Sequence, residues 1–370
     1  MIKHLVINGG GPTGLISYGA AKYLEQHEYF NINDIKSIYG ASIGSLIGVL
    51  ISLKYEWNVI DDYITKRPWE KVFQIGAEDL LNIFYTKGIV PFNMIELILK
   101  DLLEAKDLST NVTLKKFYEY NNIDIYMTVV ELNTFEKELI SHKTHPDLSL
   151  ITAIQMSTAV PIMFKPVLYE GKCYIDGGIL CNYPLQECLD IEKCDKSEIL
   201  GFRNEDNTSN KIENANLFDE KTSLIDYLTG TIEKVVTRLH KAEMVNHIEI
   251  PNEVQLGRNK KVDNYLEWFA YFTDSVKRNE LVEYGIQSGW LFLQNHSMIH
   301  SHDSDGNVTD GNVTDGNVTD GNVTDGNVSD DNSVTSDIFD DYDFTRDQLV
   351  IDRLLGNILD HILEETEIPR

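Results

Sequence analysis

Basic residues are scarce in this chain: 32 lysines and arginines stand against 59 aspartates and glutamates, a formal net charge of −27 over 370 residues. A nucleic-acid partner needs Lys and Arg to neutralise its phosphates, and anionic lipid surfaces attract polybasic segments. The chain is therefore expected to bind no nucleic acid, and any peripheral membrane contact would run through apolar residues. Long apolar runs are missing too. No stretch reaches the ~18 residues of a bilayer span; the densest, from Ile43 to Leu53, is interrupted by Ser45, Gly48 and Ser52 and reads as a buried helix. The start, MIKHLVINGG, enters a strand without the apolar region of a secretory signal. A cytoplasmic protein is expected, with delivery into another cell left open. Cysteine is rare as well: Cys173, Cys181, Cys188 and Cys194 show no C-x-x-C spacing and are expected to be ordinary buried thiols, not disulfides or a zinc site.

What is present suffices for a sizeable core in one large domain or two, since 42% of residues are hydrophobic and 10% aromatic. From the N-terminus, strand 4–7, helix 15–27, strand 35–39 and helix 45–54 form a βαβ unit, which implies a buried parallel sheet. Helices dominate 57–119, with Met94, Leu97, Ile98 and Leu102 at helical spacing. Strands are expected again at 123–132, 139–142, 173–175 and 199–202, and helices at 148–157, 185–190, 224–239 and 275–293. Five pentapeptides, four DGNVT and one DGNVS, fill 305–329. They offer only valine for burial and read as a flexible acidic linker. The expected organisation is a folded domain over 1–295, an acidic low-complexity linker over 296–335 and an acidic tail over 336–370 with a possible helix at 346–363. Residues 301–370 hold 18 acidic and three basic side chains, so most of the negative charge lies outside the folded part.

The stretch NGGGPTG, from Asn8 to Gly14, fits two chemistries. A strand running into a helix there presents unpaired N–H groups and a positive dipole end, suited to a dinucleotide pyrophosphate or to an oxyanion. The second strand should end in an acidic residue if the ligand is a dinucleotide. Here it ends in Gly40-Ala41-Ser42-Ile43-Gly44 instead, the G-x-S-x-G of a nucleophile elbow. Further on, Asp176 ends the apolar strand KCYID and is followed by Gly177 and Gly178. Taken alone, that aspartate reads equally as a turn cap or as a carboxylate able to approach another strand end.

GGGPTG, GASIG and DGG in this order and spacing resemble the patatin-like phospholipase family. Further likenesses are Glu131-Leu132-Asn133-Thr134, Ser157-Thr158-Ala159-Val160-Pro161, Asn182-Tyr183-Pro184 and the closing segment 247–293. One departure is Thr13, where the family's glycine loop usually carries Arg or Lys. The resemblance implies an α/β, three-layer fold with a mostly parallel central sheet flanked by helices. It implies a Ser42–Asp176 dyad, an oxyanion hole from Gly9, Gly10 and Gly11 in which Gly9 shapes the turn, no metal or other cofactor, and a phospholipid or lysophospholipid ester as substrate. Trp69, Phe73, Phe84, Tyr85, Phe92 and Met94 could line an acyl channel or simply pack a core. Two other classes stay open: a lipid-binding protein without activity on the same fold, and a Ser-His-Asp esterase drawing on His142, His145, His240, His247 or His296. The cluster His296, His300 and His302 is expected to be solvated.

Overall fold

A computed structural model describes residues 1–72, 87–90, 93–204, 248–256 and 265–303, with scattered positions between 227 and 239. The chain divides into two compact units, Met1–Met298 and Ile299–Arg370, and the first holds the whole of the sheet. The pentapeptide repeats, the expected helix at 346–363, and Phe73, Phe84, Tyr85, Phe92, His240 and His247 lie outside the described residues.

The fold is α/β, with a mixed eight-stranded sheet flanked by helices. Its strands are β1 (His4–Ile7), β2 (Ser37–Ala41), β3 (Asp124–Glu131), β4 (Glu136–Ile140), β5 (Val167–Tyr169), β6 (Lys172–Asp176), β7 (Ile199–Asn204) and β8 (Glu253–Leu256). Strands β3, β2, β1, β7 and β8 pair in parallel, while β4 and β6 run antiparallel to β3 and β5 antiparallel to β6. All four residues of β1 and all five of β2 are buried, as a parallel sheet covered on both faces requires. The helices are α1 (Gly14–Gln26), α2 (Ile43–Ser52), α3 (Trp57–Lys66), α4 (Trp69–Val72), α5 (Met94–Glu104), α6 (Leu114–Asn121), α7 (Leu150–Ser157), α8 (Leu185–Glu192), α9 (Tyr265–Thr273) and α10 (Ser275–Asp303). Every residue of α2 is buried, so the apolar run 43–53 is a core helix. Strand β5 and helix α9 were not expected from the sequence, and α10 runs ten residues beyond the expected end at 293.

The registers contain the feature that builds the site. Residues 124–128 of β3 pair with β2, 127–131 with β4, and 129–131 with β6. A strand has two edges, and each residue takes one partner per edge. β4 overlaps both other partners, so it must hold one edge alone, and β2 and β6 share the other. They lie end to end on it: Ala41 is opposite Thr128 and Asp176 is opposite Val129. β2 arrives parallel and β6 antiparallel, so their C-terminal ends meet head-on, and both must turn out of the sheet at once. Gly177 makes the turn after β6, because a Cβ there would stand 2.1 Å from the Thr128 carbonyl oxygen.

Gly177→Ala is therefore expected to lower stability by roughly 1–3 kcal/mol, the range for forcing a methyl into packed structure. The measurement is Tm or the denaturant midpoint, with Gly171→Ala as a control at a turn where a Cβ meets nothing within 4 Å. The control carries its own backbone penalty, since Gly171 has φ 79°. Equal tolerance at both positions would contradict the head-on junction.

Candidate active site

Ser42 sits between β2 and α2 with φ 51° and ψ −126°, a conformation that costs a non-glycine residue ~1–3 kcal/mol. Its neighbours leave no alternative. A Cβ on Gly40 would lie 2.5 Å from the Ser45 nitrogen, and one on Gly44 would lie 2.4 Å from the Ile7 carbonyl oxygen. The N-terminus of α2 points its positive end at this turn. Ser157, wholly buried at the end of α7, fixes the bend. Its hydroxyl donates to the Thr128 carbonyl at 2.8 Å and accepts the Ser42 N–H at 3.1 Å. The Ser45 hydroxyl, 2.9 Å away, must then donate to it, which uses both lone pairs. Ser157 thus closes the gap that opens where β2 leaves β3.

Asp176 is 3% exposed. Its backbone N–H is held by the Ala159 carbonyl at 3.0 Å, and its Oδ1 accepts the Gly178 N–H at 2.6 Å. Oδ2 is buried with no hydrogen-bond partner. Burial pushes the carboxyl up from 3.8 to about 7; the nearby Ser42 hydroxyl and the Gly178 N–H pull it part of the way back. The Ser42 hydroxyl is thus close enough to act on the carboxyl without a full hydrogen bond to Oδ2. The oxygen left over is the one free to take a proton.

The glycine loop leaves β1 beside these two strand ends, and a Cβ on Gly9 would come within 3.2 Å of the Ser42 Cβ. Gly9 gives its N–H to the Asn182 carbonyl at 3.0 Å. Its own carbonyl accepts from the Asn8, Asn204 and Asn182 amides at 2.7, 3.0 and 3.4 Å. In a trans peptide the N–H points opposite to the carbonyl, so this grip turns the Gly10 N–H away from the three amides. Among the described residues, no acceptor takes the N–H of Gly10 or Gly11. Gly11 has φ 56°, and a Cβ on it would enter the Trp268 indole at 2.7 Å, so α9 covers the loop. Thr13 is buried; its hydroxyl donates to the Gly10 carbonyl at 2.9 Å and accepts from Asn204 at 3.3 Å. A neutral staple occupies the place of the family's cation.

The fold thus brings together Ser42, Asp176, Gly9, Gly10, Gly11, Gly40, Gly44, Gly177 and Gly178. It does not bring the described candidate histidines there. His142 stacks on Tyr118 beside Asp124, at the start of β3, and His145 bonds to Thr144. His296, half-buried, packs against Phe292 and Tyr29 with its Nε2 on the Pro251 carbonyl. Glu131 closes the β3–β4 turn, accepting from Asn133 and Thr134. Sequence reasoning missed Asn204 and Trp268, which are single residues in no motif; Ser157 and Asn182 lay in matched motifs, but their roles were not legible.

A family model described as patatin-like phospholipase matches residues 5–189, half of the chain, from β1 into α8. The chain belongs to the patatin-like phospholipase family. Among curated relatives, a probable lipid hydrolase of Invertebrate iridescent virus 6 is 25% identical over 185 residues, covering 50% of this chain and 62% of the relative. An uncharacterized protein of Acanthamoeba polyphaga mimivirus is 29% identical over 188 residues, 50% of this chain and 60% of that one. The match therefore spans less than two thirds of either relative. Among solved structures, VipD from Legionella pneumophila superposes with TM-score 0.45 at 18% identity, over 80% of this chain and 67% of VipD, a likeness too remote to argue from. For this patatin-like chain, no described helix is long and apolar enough to cross a membrane.

The geometry makes two outcomes measurable. Ser157→Ala removes the group that satisfies Ser42 N–H, Ser45 Oγ and Thr128 O together, each loss in buried surroundings being worth ~1–3 kcal/mol. It should lower Tm; an unchanged Tm would show the bridge to be dispensable. The second outcome concerns charge. A carboxyl whose folded pKa lies above its unfolded value of 3.8 favours folding most below 3.8, and that contribution is lost as pH rises through about 7. The shift corresponds to roughly 4 kcal/mol against the charged form. Asp176→Asn should consequently be more stable than the parent at pH 8, with the gap shrinking as pH falls and closing near 3.8. A gap that grows towards acid pH would refute the buried-carboxyl assignment.

Proposed function

We propose that the protein is a lipid acyl hydrolase that cleaves carboxylic ester bonds of phospholipids or lysophospholipids through an acyl-enzyme on Ser42. The observation that carries this reading is the head-on junction: it sets a strained, buried serine hydroxyl against a buried carboxyl with an unpartnered Oδ2 and a pKa near neutrality. Asp176 Oδ2 takes the Ser42 proton as Oγ attacks the ester carbonyl carbon. The tetrahedral oxyanion draws on the Gly10 and Gly11 N–H groups, while Gly9, its N–H already bound, shapes the turn. Collapse expels the alcohol, which leaves with the proton held by Asp176. A water then gives its proton to Asp176 and attacks the acyl carbon; Ser42 recovers a proton as the fatty acid departs. Every proton in the cycle returns through one oxygen.

A lipid substrate is supported by the apolar surroundings and by the family. Trp69, Met94, Val160 and Met163 form one buried cluster, with Trp268 packed against it. Beside it a small cleft of mixed character is lined by Met94, Ile95 and Phe164 with Gln155, Thr158 and Lys165, and Thr158 is one residue from Ser157. At the same end of the sheet, β3 extends three residues past the level of Ala41. Leu132 and Phe135 beyond it are 42% and 47% exposed, and Leu168 in the adjoining β5–β6 hairpin is 76% exposed. Such a rim suits contact with a lipid surface by apolar residues. One of the relatives carries the name lipid hydrolase. A Ser-His-Asp esterase finds no support among the described histidines. A lipid binder without activity would have no use for the strained Ser42.

The test is a hydrolysis panel of phospholipid vesicles, lysophospholipids and short nitrophenyl esters, with fluorophosphonate labelling alongside. Ser42→Ala should abolish labelling. Asp176→Asn should stay folded yet lose at least ~10²-fold in kcat, the lower bound of general-base catalysis. In the parent, kcat should fall as pH drops below about 7, since only the ionised carboxyl can accept the proton. A folded Asp176→Asn variant with near-normal turnover would end the dyad reading.

A further inference from the structure

At the end of the sheet away from Ser42, His4 opens β1 in register with Ser37 of β2 and Ile199 of β7. There the connection between α8 and β7 folds against it. His4, Cys194 and Glu198 each offer a ligand atom, all within 4.8 Å of one another. We propose that these three side chains form a zinc-type divalent metal site that fastens the start of β1 to the α8–β7 connection.

The donor set is one nitrogen, one sulfur and one oxygen, a borderline-soft combination that suits zinc better than calcium or magnesium, which prefer oxygen alone. Three protein ligands leave a fourth position for water. His4 is 3% exposed, and its Nδ1 is engaged by the wholly buried Ser37 hydroxyl at 2.7 Å. Glu192 also stands 3.9 Å from that nitrogen; an outer partner on one ring nitrogen is the arrangement that orients an imidazole to ligate through the other, so Nε2 is the proposed ligand atom. Lys3 pairs with Glu198 through Oε1, which leaves Oε2 for the metal. Glu198, Glu192 and Asp195 act electrostatically on the Cys194 thiol, while Lys3 and Lys36 oppose Glu192 and Glu198 at His4, so the acidic charge that a divalent cation would relieve is only partly offset. Sequence spacing did not announce the site, because His4 lies 190 residues before Cys194 and the three ligands are of three residue types. Five residue steps, ~17 Å along β2, separate the level of His4 from Ser42, so the metal's effect falls on stability and not on ester chemistry. It stands independently of the function proposed for Ser42.

The test uses the full chain, stripped with a chelator and titrated with zinc chloride by calorimetry, with Tm read in parallel. One zinc should bind per chain and raise Tm by several degrees. Cobalt chloride should give a thiolate-to-metal absorption band. Cys194→Ser and Glu198→Gln, at partly exposed positions, should each weaken zinc binding at least ~10-fold and remove the Tm gain. Cys173→Ser should leave both unchanged. His4→Gln is the direct test but removes a buried side chain, so the two partly exposed variants carry the decision if it does not fold. Absence of saturable one-to-one binding overturns the site. So does parent-like zinc affinity in both Cys194→Ser and Glu198→Gln, which would place the metal elsewhere on the chain.

Discussion

Two strands that end head-on against one edge of a third impose every other requirement of this site. At Thr128 and Val129 the edge of β3 changes partner from β2 to β6. Each incoming strand must leave the sheet within one residue, so the turns are sharp and their residues small. That accounts for Gly40 and Gly44 around Ser42 and for Gly177 after Asp176, all of which meet backbone where a Cβ would stand. It also explains why two polar side chains, remote in sequence, share a dry space. Neither turn can relax without breaking the other's ladder.

Such a junction leaves backbone groups orphaned, and the surrounding loops exist largely to satisfy them. Ser157 bridges Thr128, Ser42 and Ser45; Ala159 takes the Asp176 N–H; Asn182 and Asn204 grip Gly9. These bonds are individually modest but expensive to lose in a buried place. They hold a strained serine and an under-bonded carboxylate that would otherwise rearrange. The unfavourable elements, φ 51° at Ser42 and an unpartnered Oδ2 at Asp176, concentrate where the proposed chemistry needs them.

Much of this was legible in the sequence, for a physical reason. Tight turns restrict residue type, so GGG, GASIG and DGG report backbone geometry directly, and the buried parallel strands show as unbroken apolar runs. Asp176 illustrates the limit: its segment alone allowed a turn cap, and the structure shows it capping, through Oδ1 on Gly178, while leaving Oδ2 free. Sequence could not show that β2 and β6 share an edge, because register is a property of pairs. Strand β5 has three residues, too few for a period, and α9 is apolar around much of its length and has no helical stripe to detect. Thr13 looked like the loss of a cation; burial shows it to be a hydrogen-bonded staple, so a long charged side chain there would have to displace Asn204.

The proposed use of an aspartate in place of the usual imidazole makes a particular demand on the protein. A carboxyl in water has a pKa near 4 and is a poor base at neutral pH, whereas His is poised there without help. Burial supplies the difference by penalising the charged form, which brings Asp176 to about 7. The means is also a constraint: any opening that surrounds Oδ2 with bulk water weakens the base, while the single water of deacylation must still reach it. Trp268 over the glycine loop and the cluster around Trp69 and Met163 keep neighbouring space apolar. An acyl chain entering beside them would extend the dry surroundings and not breach them. In the proposed reaction the apolar substrate therefore helps to maintain the basicity that its own cleavage requires, which ties the choice of a carboxylate base to the choice of a lipid.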